Sequence, residues 1–266
     1  MCIRDRNRGP LESFLIELTA AIFTVPDERT GRPLVEIVLD EAGQKGTGKW
    51  TAQSALDLGV PIPTIAAAIG ARLLSAMKDE RVAAESKIAG PKPEPSNAGK
   101  NDLAATVHDA LYAGRICCYS QGMSLIRSAS DAFEWGINLR EIARIWKGGC
   151  IIRARLLDPI MNAYDRQPGL ANLLLDDALG AQVGAAEAGL RSAVQAAQGM
   201  GIPVPAMAAS LAYFDSYRSA GLPQNLTQAQ RDAFGAHTYE RADAPEEGPI
   251  HTDWLKLAQK EAETHG

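Results

Sequence analysis

Two lysines and a threonine lie among glycines in the segment GQKGTGKWT, residues 43–51. Glycines allow main-chain N–H groups to approach an anion closely, and the helix that opens near Lys49 adds its positive end. Lys45 would add a full positive charge and Thr47 a hydroxyl group. These residue types indicate a site for a phosphate group, although a glycine turn between helices with two solvated lysines fits the same letters.

The segment has the glycine and lysine spacing of a nucleotide-binding P-loop but departs from that motif at the next position. A P-loop places Ser or Thr after its lysine to bind Mg²⁺, and this chain has Trp50, which cannot ligate a metal. Thr51 comes one residue late. Asp40 and Glu41 would place negative charge just upstream of a triphosphate. We therefore do not interpret the segment as a P-loop.

The composition is that of a globular protein. The chain has 266 residues, of which 46% are hydrophobic and 22% charged, with a net charge of −5. This length suits one large domain or two small ones. No basic block is present, so we expect no nucleic-acid partner, and an anionic ligand must be held by a local cluster. No apolar run approaches the ~18 residues that span a bilayer, so no membrane association is expected.

The cysteine pattern indicates reduced thiols. Cys117 and Cys118 are adjacent, Cys2 and Cys150 are far from them, and no Cys-x-x-Cys pair occurs. We predict small, buried, apolar thiols, no metal site and a cytoplasmic location. The first ten residues, MCIRDRNRGP, lack the apolar core of a signal peptide and differ in character from the rest of the chain. We interpret residues 1–10 as a leader that is foreign to the fold.

Helical periodicity runs through almost the whole chain. Ile65, Ile69, Leu73 and Met77 form an apolar stripe, and Asn138 is positioned to cap a helix. No alternating strand pairs with hairpin turns are found, so the predicted fold class is all-α. The segment at 90–102 is rich in Pro, Gly and Ser and is predicted to be a surface loop or hinge. The predicted helical stretches include 11–23, 34–44, 49–59, 60–87 and 102–135.

One segment is echoed later in the chain. LGVPIPTIAAAI begins at residue 58, and MGIPVPAMAASL begins at residue 200, an offset of 142. Both place a glycine and a Pro-x-Pro before an alanine-rich helix. The match predicts a duplicated helical unit.

Eight segments together carry a resemblance to a known family. They resemble, in the family's order and from about Leu11 to Trp254, the C-terminal all-α domain of the decarboxylating 6-phosphogluconate dehydrogenases. The segments are LESFLIELTAAI, AGQKGTGKWTAQSALDLGVPIP, ARLLSAMKDER, YSQGMSLIRSAS, IWKGGCIIRARLL, NLLLDD, QAQRDAFGAHTYER and IHTDW. The tail after Trp254 does not match the family pattern well.

The resemblance implies an oxidoreductase of the pentose phosphate pathway. Members oxidise 6-phosphogluconate with NADP⁺ and release CO₂ and ribulose 5-phosphate. They are homodimers in which an N-terminal Rossmann domain holds most of the NADP and the helical domain forms most of the interface. In that assignment residues 11–266 form the substrate-binding and dimerisation domain, and the Rossmann domain is absent from this chain.

Catalysis by the isolated chain is not expected. No Gly-x-Gly-x-x-Gly follows a strand, and no residue matches the family's lysine base or glutamate acid. We therefore predict no catalytic residue, leave the cofactor-binding residues unassigned, and expect the chain alone to be inactive. The alternative is a stand-alone helical module for dimerisation or ligand binding.

The resemblance also implies five substrate-binding residues. Lys45 and Thr47 contact the substrate, Lys45 at its phosphate end, and Arg72 resembles the family's phosphate-binding arginine. Arg231 and His237 resemble a pair that reaches across the dimer into the partner's site. Arg231 would bind phosphate there, and His237 a hydroxyl or phosphate oxygen. A lysine and two arginines suit a phosphate group of about −2 charge.

Overall fold

The computed structural model describes residues 8–43, 45–91 and 100–265. Those ranges contain helices and three isolated antiparallel bridges but no β-strand, so the all-α prediction is confirmed. The predicted loop at 90–102 falls largely outside the described residues, as do residues 1–7 of the leader.

The α-helices are α1 (Phe14–Ile22), α2 (Thr47–Asp57), α3 (Pro63–Ser75), α4 (Lys78–Glu85), α5 (Lys100–Ala132), α6 (Leu139–Ile145), α7 (Leu157–Arg166), α8 (Asp177–Gly199), α9 (Pro205–Tyr217), α10 (Gln224–Gly235) and α11 (Trp254–His265). Three 3-10 turns are Leu34–Glu36, Leu173–Leu175 and Pro245–Glu247.

The two longest helices, α5 and α8, pack against each other and carry the core. Buried residues of α8 recur every three or four positions, the spacing that places side chains on one face of a helix. A Cβ atom at Gly189 would come within 2.6 Å of the Asp109 Cβ, so this glycine allows the two backbones to approach closely. The buried residues of α8 are Leu179, Val183, Ala186, Leu190, Ala193, Val194 and Ala197.

The helix that follows α5 begins as the sequence predicts. The Asn138 side chain accepts a 3.2 Å hydrogen bond from the Glu141 amide and caps α6. The next helix, α7, buries one face that includes Leu157 and Ile160 against the same core. Helix α7 thereby covers part of the α5–α8 pair.

The sequence echo corresponds to a repeated local geometry. Gly59 follows α2 with φ +66°, and Gly201 follows α8 with φ +68°; this left-handed conformation favours glycine. Each glycine is followed four residues later by the proline that begins a 13-residue helix, α3 or α9. The matching hydrogen bonds run from Val60 N–H to the Ala55 carbonyl and from Ile202 N–H to the Ala197 carbonyl, both 2.8 Å.

Buried polar groups connect the two repeated helices through α5. The Thr64 hydroxyl of α3 lies 2.9 Å from the Ser210 hydroxyl of α9. Gln121 of α5 accepts from the Thr64 amide at 3.0 Å and donates to the Thr64 hydroxyl at 2.9 Å. All three side chains are buried, so these bonds satisfy groups that have no access to water.

Two helical predictions were wrong in detail. The stretch 34–44 forms only the turn Leu34–Glu36, and its remaining described residues are irregular. The apolar stripe ends with α3, because the chain leaves the helix after Ser75 and restarts at Lys78. Leu73 and Met77 are 52% and 42% exposed, whereas Ile65 and Ile69 are half-buried.

The described cysteines are free thiols. Cys117 is buried, and Cys118 and Cys150 are half-buried. Burial, together with the neighbouring Cys118, raises the pKa of Cys117 to about 12, so its thiol stays protonated. Cys117 therefore packs as a small apolar residue, as predicted; Cys2 lies outside the described residues.

The chain divides into two compact units. The first extends to Phe214, and the second comprises Asp215–Gly266. The second unit contains α10, α11 and an antiparallel bridge between Tyr239 and Ile250. The assignment of residues 11–266 to one functional domain stays a prediction. Within the described ranges, no helix has the length and apolar character needed to cross a membrane.

Candidate functional site

The predicted phosphate segment forms the N-terminus of α2. Gly46 has φ +107° and precedes the first helical residue, Thr47. This left-handed conformation favours glycine because it has no Cβ. No side chain caps the helix, so the amides of its first turn are open to another acceptor. Lys45 and Lys49 are exposed on either side of this turn.

Arg72 lies next to the same segment. It belongs to the last turn of α3, and its guanidinium donates a hydrogen bond to the main-chain carbonyl of Gly43. Gly43 comes two residues before Lys45. The structure therefore brings the predicted phosphate-binding arginine to the segment that carries the predicted lysine and Thr47.

A set of polar contacts holds this segment on the α3–α4 corner. Asp40 accepts hydrogen bonds from Lys78 at 2.7 Å and Arg81 at 2.9 Å. Arg81 also donates to the Ser75 carbonyl at 2.9 Å, and the Ser75 hydroxyl accepts from the Ala42 amide at 2.8 Å. We call these contacts of residues 40–43 the loop clamp. They explain why this stretch is irregular, since its polar groups bond to α3 and α4 and not to one another.

The cationic side chains of this region differ in whether they form an ion pair. Hydrogen bonds from Arg81 and Lys78 hold the pKa of Asp40 well below its usual range, so this carboxylate is ionised and occupied by those two residues. No ion pair within the described ranges involves Lys45 or Arg72. Their positive charges are therefore available to an anionic ligand.

The other two predicted residues lie in the second unit. Arg231 is exposed on α10, and its Nη1 atom donates to the Gln228 side chain at 3.1 Å. The helix ends at Gly235, and His237 lies two residues beyond it. The His237 ring meets the Phe234 ring edge-on, with 5.9 Å between centroids. Arg231 and His237 thus occupy one end of α10 and the turn after it.

Sequence reasoning missed the residues that support these side chains. Ser75 is 33 residues from Ala42, and Lys78 is 38 residues from Asp40. No motif or periodicity links positions so far apart, so no signal in one sequence could have paired them. The same applies to Asp232, a buried carboxylate next to Arg231.

The chain matches a known protein family along most of its length. The family model described as the 6-phosphogluconate dehydrogenase C-terminal domain matches residues 2–254. The chain belongs to this family. The resemblance carried by the eight sequence segments is thereby confirmed, and the match includes the part of the leader after residue 1.

Named relatives agree with the family. The chain is 53% identical over 250 residues to the NADP(+)-dependent, decarboxylating 6-phosphogluconate dehydrogenase of Bacillus subtilis, covering 94% of this chain and 53% of the relative. It is 55% identical over 251 residues to the decarboxylating enzyme of Synechococcus elongatus, with 94% of this chain and 53% of the relative covered. The chain spans about half the length of the curated relatives it matches.

A solved structure shares the fold. The 6-phosphogluconate dehydrogenase of Plasmodium falciparum superposes with a TM-score of 0.89 at 45% identity, over 95% of this chain and 54% of that protein. Its structure is described in the apo form, with its cofactor NADP⁺ and with its substrate 6-phosphogluconate. The 6-phosphogluconate dehydrogenase C-terminal domain is therefore the structural as well as the sequence family of this chain.

Proposed function

We propose that this chain is the C-terminal part of an NADP-dependent, decarboxylating 6-phosphogluconate dehydrogenase, an enzyme of the pentose phosphate pathway. In the complete reaction 6-phosphogluconate is oxidised, CO₂ is lost and ribulose 5-phosphate is formed. The observation that carries the proposal is the contact between Arg72 and the segment before Lys45, in a chain of this family. Both cations lack an ion pair in the described part of the chain.

The substrate's phosphate group is assigned to the first unit. Lys45 supplies a point charge, and the planar guanidinium of Arg72 supplies several N–H donors. Thr47 adds a hydroxyl and lies in the first turn of α2, where free amides favour an anion. Charge-assisted hydrogen bonds of this kind are stronger than neutral ones, so the phosphate end anchors the sugar acid.

Arg231 and His237 are assigned to the site of a partner copy. In a homodimer they would add a second arginine and an imidazole to the phosphosugar bound by the other protomer. Both side chains are exposed and close to each other along the chain. This assignment of Arg231 and His237 is supported by their position at the end of α10, where the turn 234–238 leads the chain away from the helix.

The chain alone should bind 6-phosphogluconate but should not oxidise it. The Bacillus subtilis relative is named as NADP(+)-dependent, and NADP is the cofactor proposed here. The described residues contain no βαβ unit and no Gly-x-Gly-x-x-Gly turn, so they do not fit a dinucleotide. Oxidation needs the hydride acceptor and a base in one geometry. We therefore assign no catalytic step to this chain.

The location and the boundaries of the domain complete the proposal. We assign the protein to the cytoplasm because the three cysteines that the structure describes are free thiols, although relatives from rice and Arabidopsis include proteins named chloroplastic. Residues 11–266 are proposed as the substrate-binding and dimerisation domain.

Calorimetry with two ligands tests the proposed function. The 266-residue chain should bind 6-phosphogluconate, and gluconate, which lacks the phosphate, should bind much more weakly. Lys45→Ala and Arg72→Ala should each weaken 6-phosphogluconate binding about tenfold or more, the value of a lost charge-assisted bond. Lys87→Ala and Arg29→Ala, at exposed positions outside the site, are the matched controls. Equal binding of the two ligands would show that no phosphate site is present.

An activity assay separates the enzyme fragment from a stand-alone module. NADP⁺ and 6-phosphogluconate should give no NADPH with the chain alone. Addition of a separately produced Rossmann domain from a relative should restore NADPH formation. A robust rate without that domain would contradict the proposed inactivity, and no rate with it would favour the module.

A further inference from the structure

One carboxylate in the second unit is completely buried. Asp232 of α10 has a relative exposure of 0%. Its side chain accepts hydrogen bonds from four donors that follow α10 in the chain. Asp232 therefore joins α10 to the segment 238–254, which leads to the start of α11. The donors are Thr238 N–H at 2.9 Å, His251 Nδ1 at 2.8 Å, Thr252 N–H at 3.0 Å and Trp254 Nε1 at 2.8 Å.

These donors keep Asp232 ionised. Burial by itself would raise the pKa of Asp232, but the hydrogen bonds from His251, Thr252, Trp254 and Thr238 outweigh it and hold this pKa well below its usual range. Within the described residues the only ion-pair partner of this carboxylate is His251. A buried charge is stable only when its surroundings supply such donors, so removal of the charge should loosen all four contacts.

Asp232 also controls the turn that carries His237. Ala236 and Thr238 have φ +49° and +59°, a left-handed conformation that residues with a side chain rarely adopt. The Ala236 amide donates to the Asp232 main-chain carbonyl at 2.9 Å, and the Thr238 amide donates to the Asp232 carboxylate at 2.9 Å. Both unusual residues are thus held by one aspartate, and His237 lies between them.

Gln228 connects the same turn to Arg231. Its side-chain oxygen accepts from Arg231 Nη1 at 3.1 Å, and its side-chain nitrogen donates to the Thr238 carbonyl at 2.6 Å. A Cβ atom at Gly235 would lie 2.8 Å from the His237 ring, so the glycine leaves space for that ring. Gln228 and Thr238 therefore link Arg231 to the turn that carries His237.

We propose that Asp232 is a positioning residue, which acts with Gln228 to present Arg231 and His237 as a preformed pair to a phosphosugar anion. The inference rests on the proposed function, since it takes that ligand from it. Ordering two side chains before binding lowers the entropy cost of association. Asp232 itself is fully buried, so it would act through Arg231 and His237 and not by direct contact with the ligand.

The turn can be tested without any ligand. In Asp232→Asn, hydrogen exchange of the Thr238 and Thr252 amides should accelerate about tenfold or more, because their shared acceptor is weakened. The NMR contact between the Phe234 and His237 rings should be lost. Asp243→Asn removes an exposed carboxylate of the same unit, paired with Arg241, and should change neither signal. Unchanged Thr238 exchange together with an unchanged ring contact in Asp232→Asn would overturn the proposal.

Binding then distinguishes a positioning role from a purely structural one. The affinity of the full chain for 6-phosphogluconate should fall about tenfold in Asp232→Asn, with Asp243→Asn as the control. If Asp232→Asn does not fold, Gln228→Ala offers the same test, since it breaks the link between Arg231 and Thr238. Wild-type affinity in a chain with a loosened turn would overturn the positioning role.

The two proposals fail in different ways. If the wild-type chain binds no 6-phosphogluconate, the proposed function is wrong. The exchange rates and the ring contact would still decide whether Asp232 holds Arg231 and His237 in place.

Discussion

The Ala42 amide donates a 2.8 Å hydrogen bond to the Ser75 hydroxyl, which in turn donates to the Arg72 carbonyl at 2.7 Å. One serine thereby joins the loop before Lys45 to the helical turn that carries Arg72. The relative position of two proposed phosphate-binding cations depends on this contact.

Replacement of Ser75 by alanine should loosen that loop. Ser75→Ala removes the acceptor of the Ala42 amide, and a hydrogen bond of this kind contributes about 0.5–1.5 kcal/mol. We expect faster hydrogen exchange at Ala42 and a roughly threefold to tenfold weaker affinity for 6-phosphogluconate by calorimetry. Ser86→Ala is the matched control, because among the residues that the structure describes the Ser86 hydroxyl bonds only to the nearby Ala83 carbonyl. Equal exchange in wild type and Ser75→Ala would rule out the Ala42–Ser75 contact of the loop clamp.

Gly46 should be sensitive to its backbone conformation and not to space. Nothing lies within 4 Å of a Cβ at Gly46 or at Gly70, but only Gly46 has a positive φ. Gly46→Ala should lower the free energy of unfolding by about 1–3 kcal/mol. Gly70→Ala, inside α3, should raise it by about 0.5–1 kcal/mol, since alanine favours the helix. Urea denaturation measures both changes, and effects of the same sign would contradict the assignment.

Two glycines of α8 should respond oppositely to alanine. A Cβ at Gly189 would clash with Asp109 of α5, whereas nothing lies within 4 Å of a Cβ at Gly184. Gly189→Ala should therefore cost about 1–3 kcal/mol through overpacking. Gly184→Ala should stabilise the chain by about 0.5–1 kcal/mol. The melting temperatures of the two variants, recorded by circular dichroism, should lie on opposite sides of the wild type.

Acid should destabilise the wild type more than Asp232→Asn. The pKa of Asp232 in the folded chain lies below the value of about 3.9 for an unfolded aspartate. Its contribution to stability is therefore complete above pH ~4 and is lost as the pH falls from there through the folded pKa. The unfolding free energy from urea titrations should fall less steeply with acid in Asp232→Asn.

The other carboxyl groups are common to both chains, so the difference between the two pH curves isolates Asp232. Its bonded partner His251 is also unchanged. Parallel curves between about pH 5 and pH 2.5 would show that folding does not lower the pKa of Asp232.

Local signals in the sequence predicted several of the helix ends. Asn138 caps α6, Gly59 follows α2, and Pro63 begins α3, each as its residue type requires. The repeat at residues 58 and 200 was also visible, because the same short pattern produces the same glycine turn and proline-started helix. These features depend on contacts within a few residues.

The stretch 34–44 shows where such signals fail. The sequence predicted a helix there, but Asp40 bonds to Lys78 and Arg81, and Ala42 to Ser75. A helix over 34–44 would have needed the Ala42 amide for its own main-chain hydrogen bonds, and this amide donates to Ser75 instead. Lys45 and Thr47 were indicated by their residue types and by the family resemblance, and Arg72, Arg231 and His237 by the resemblance alone. Their supports, Ser75 and Asp232 among them, came from the structure.

The sequence by itself determined the all-α class, several of the helix ends, the repeated glycine turn with its proline-started helix, and the family. Helical periodicity, caps and turn glycines act between near neighbours, so they can be recognised in a linear chain. Only the tertiary structure decided which distant polar groups pair: Thr64 with Ser210 across 146 positions, and Asp232 with Trp254 across 22. Such pairs form because packing buries the polar groups away from water, so that they bond to one another. Local sequence does not encode which distant groups are buried together.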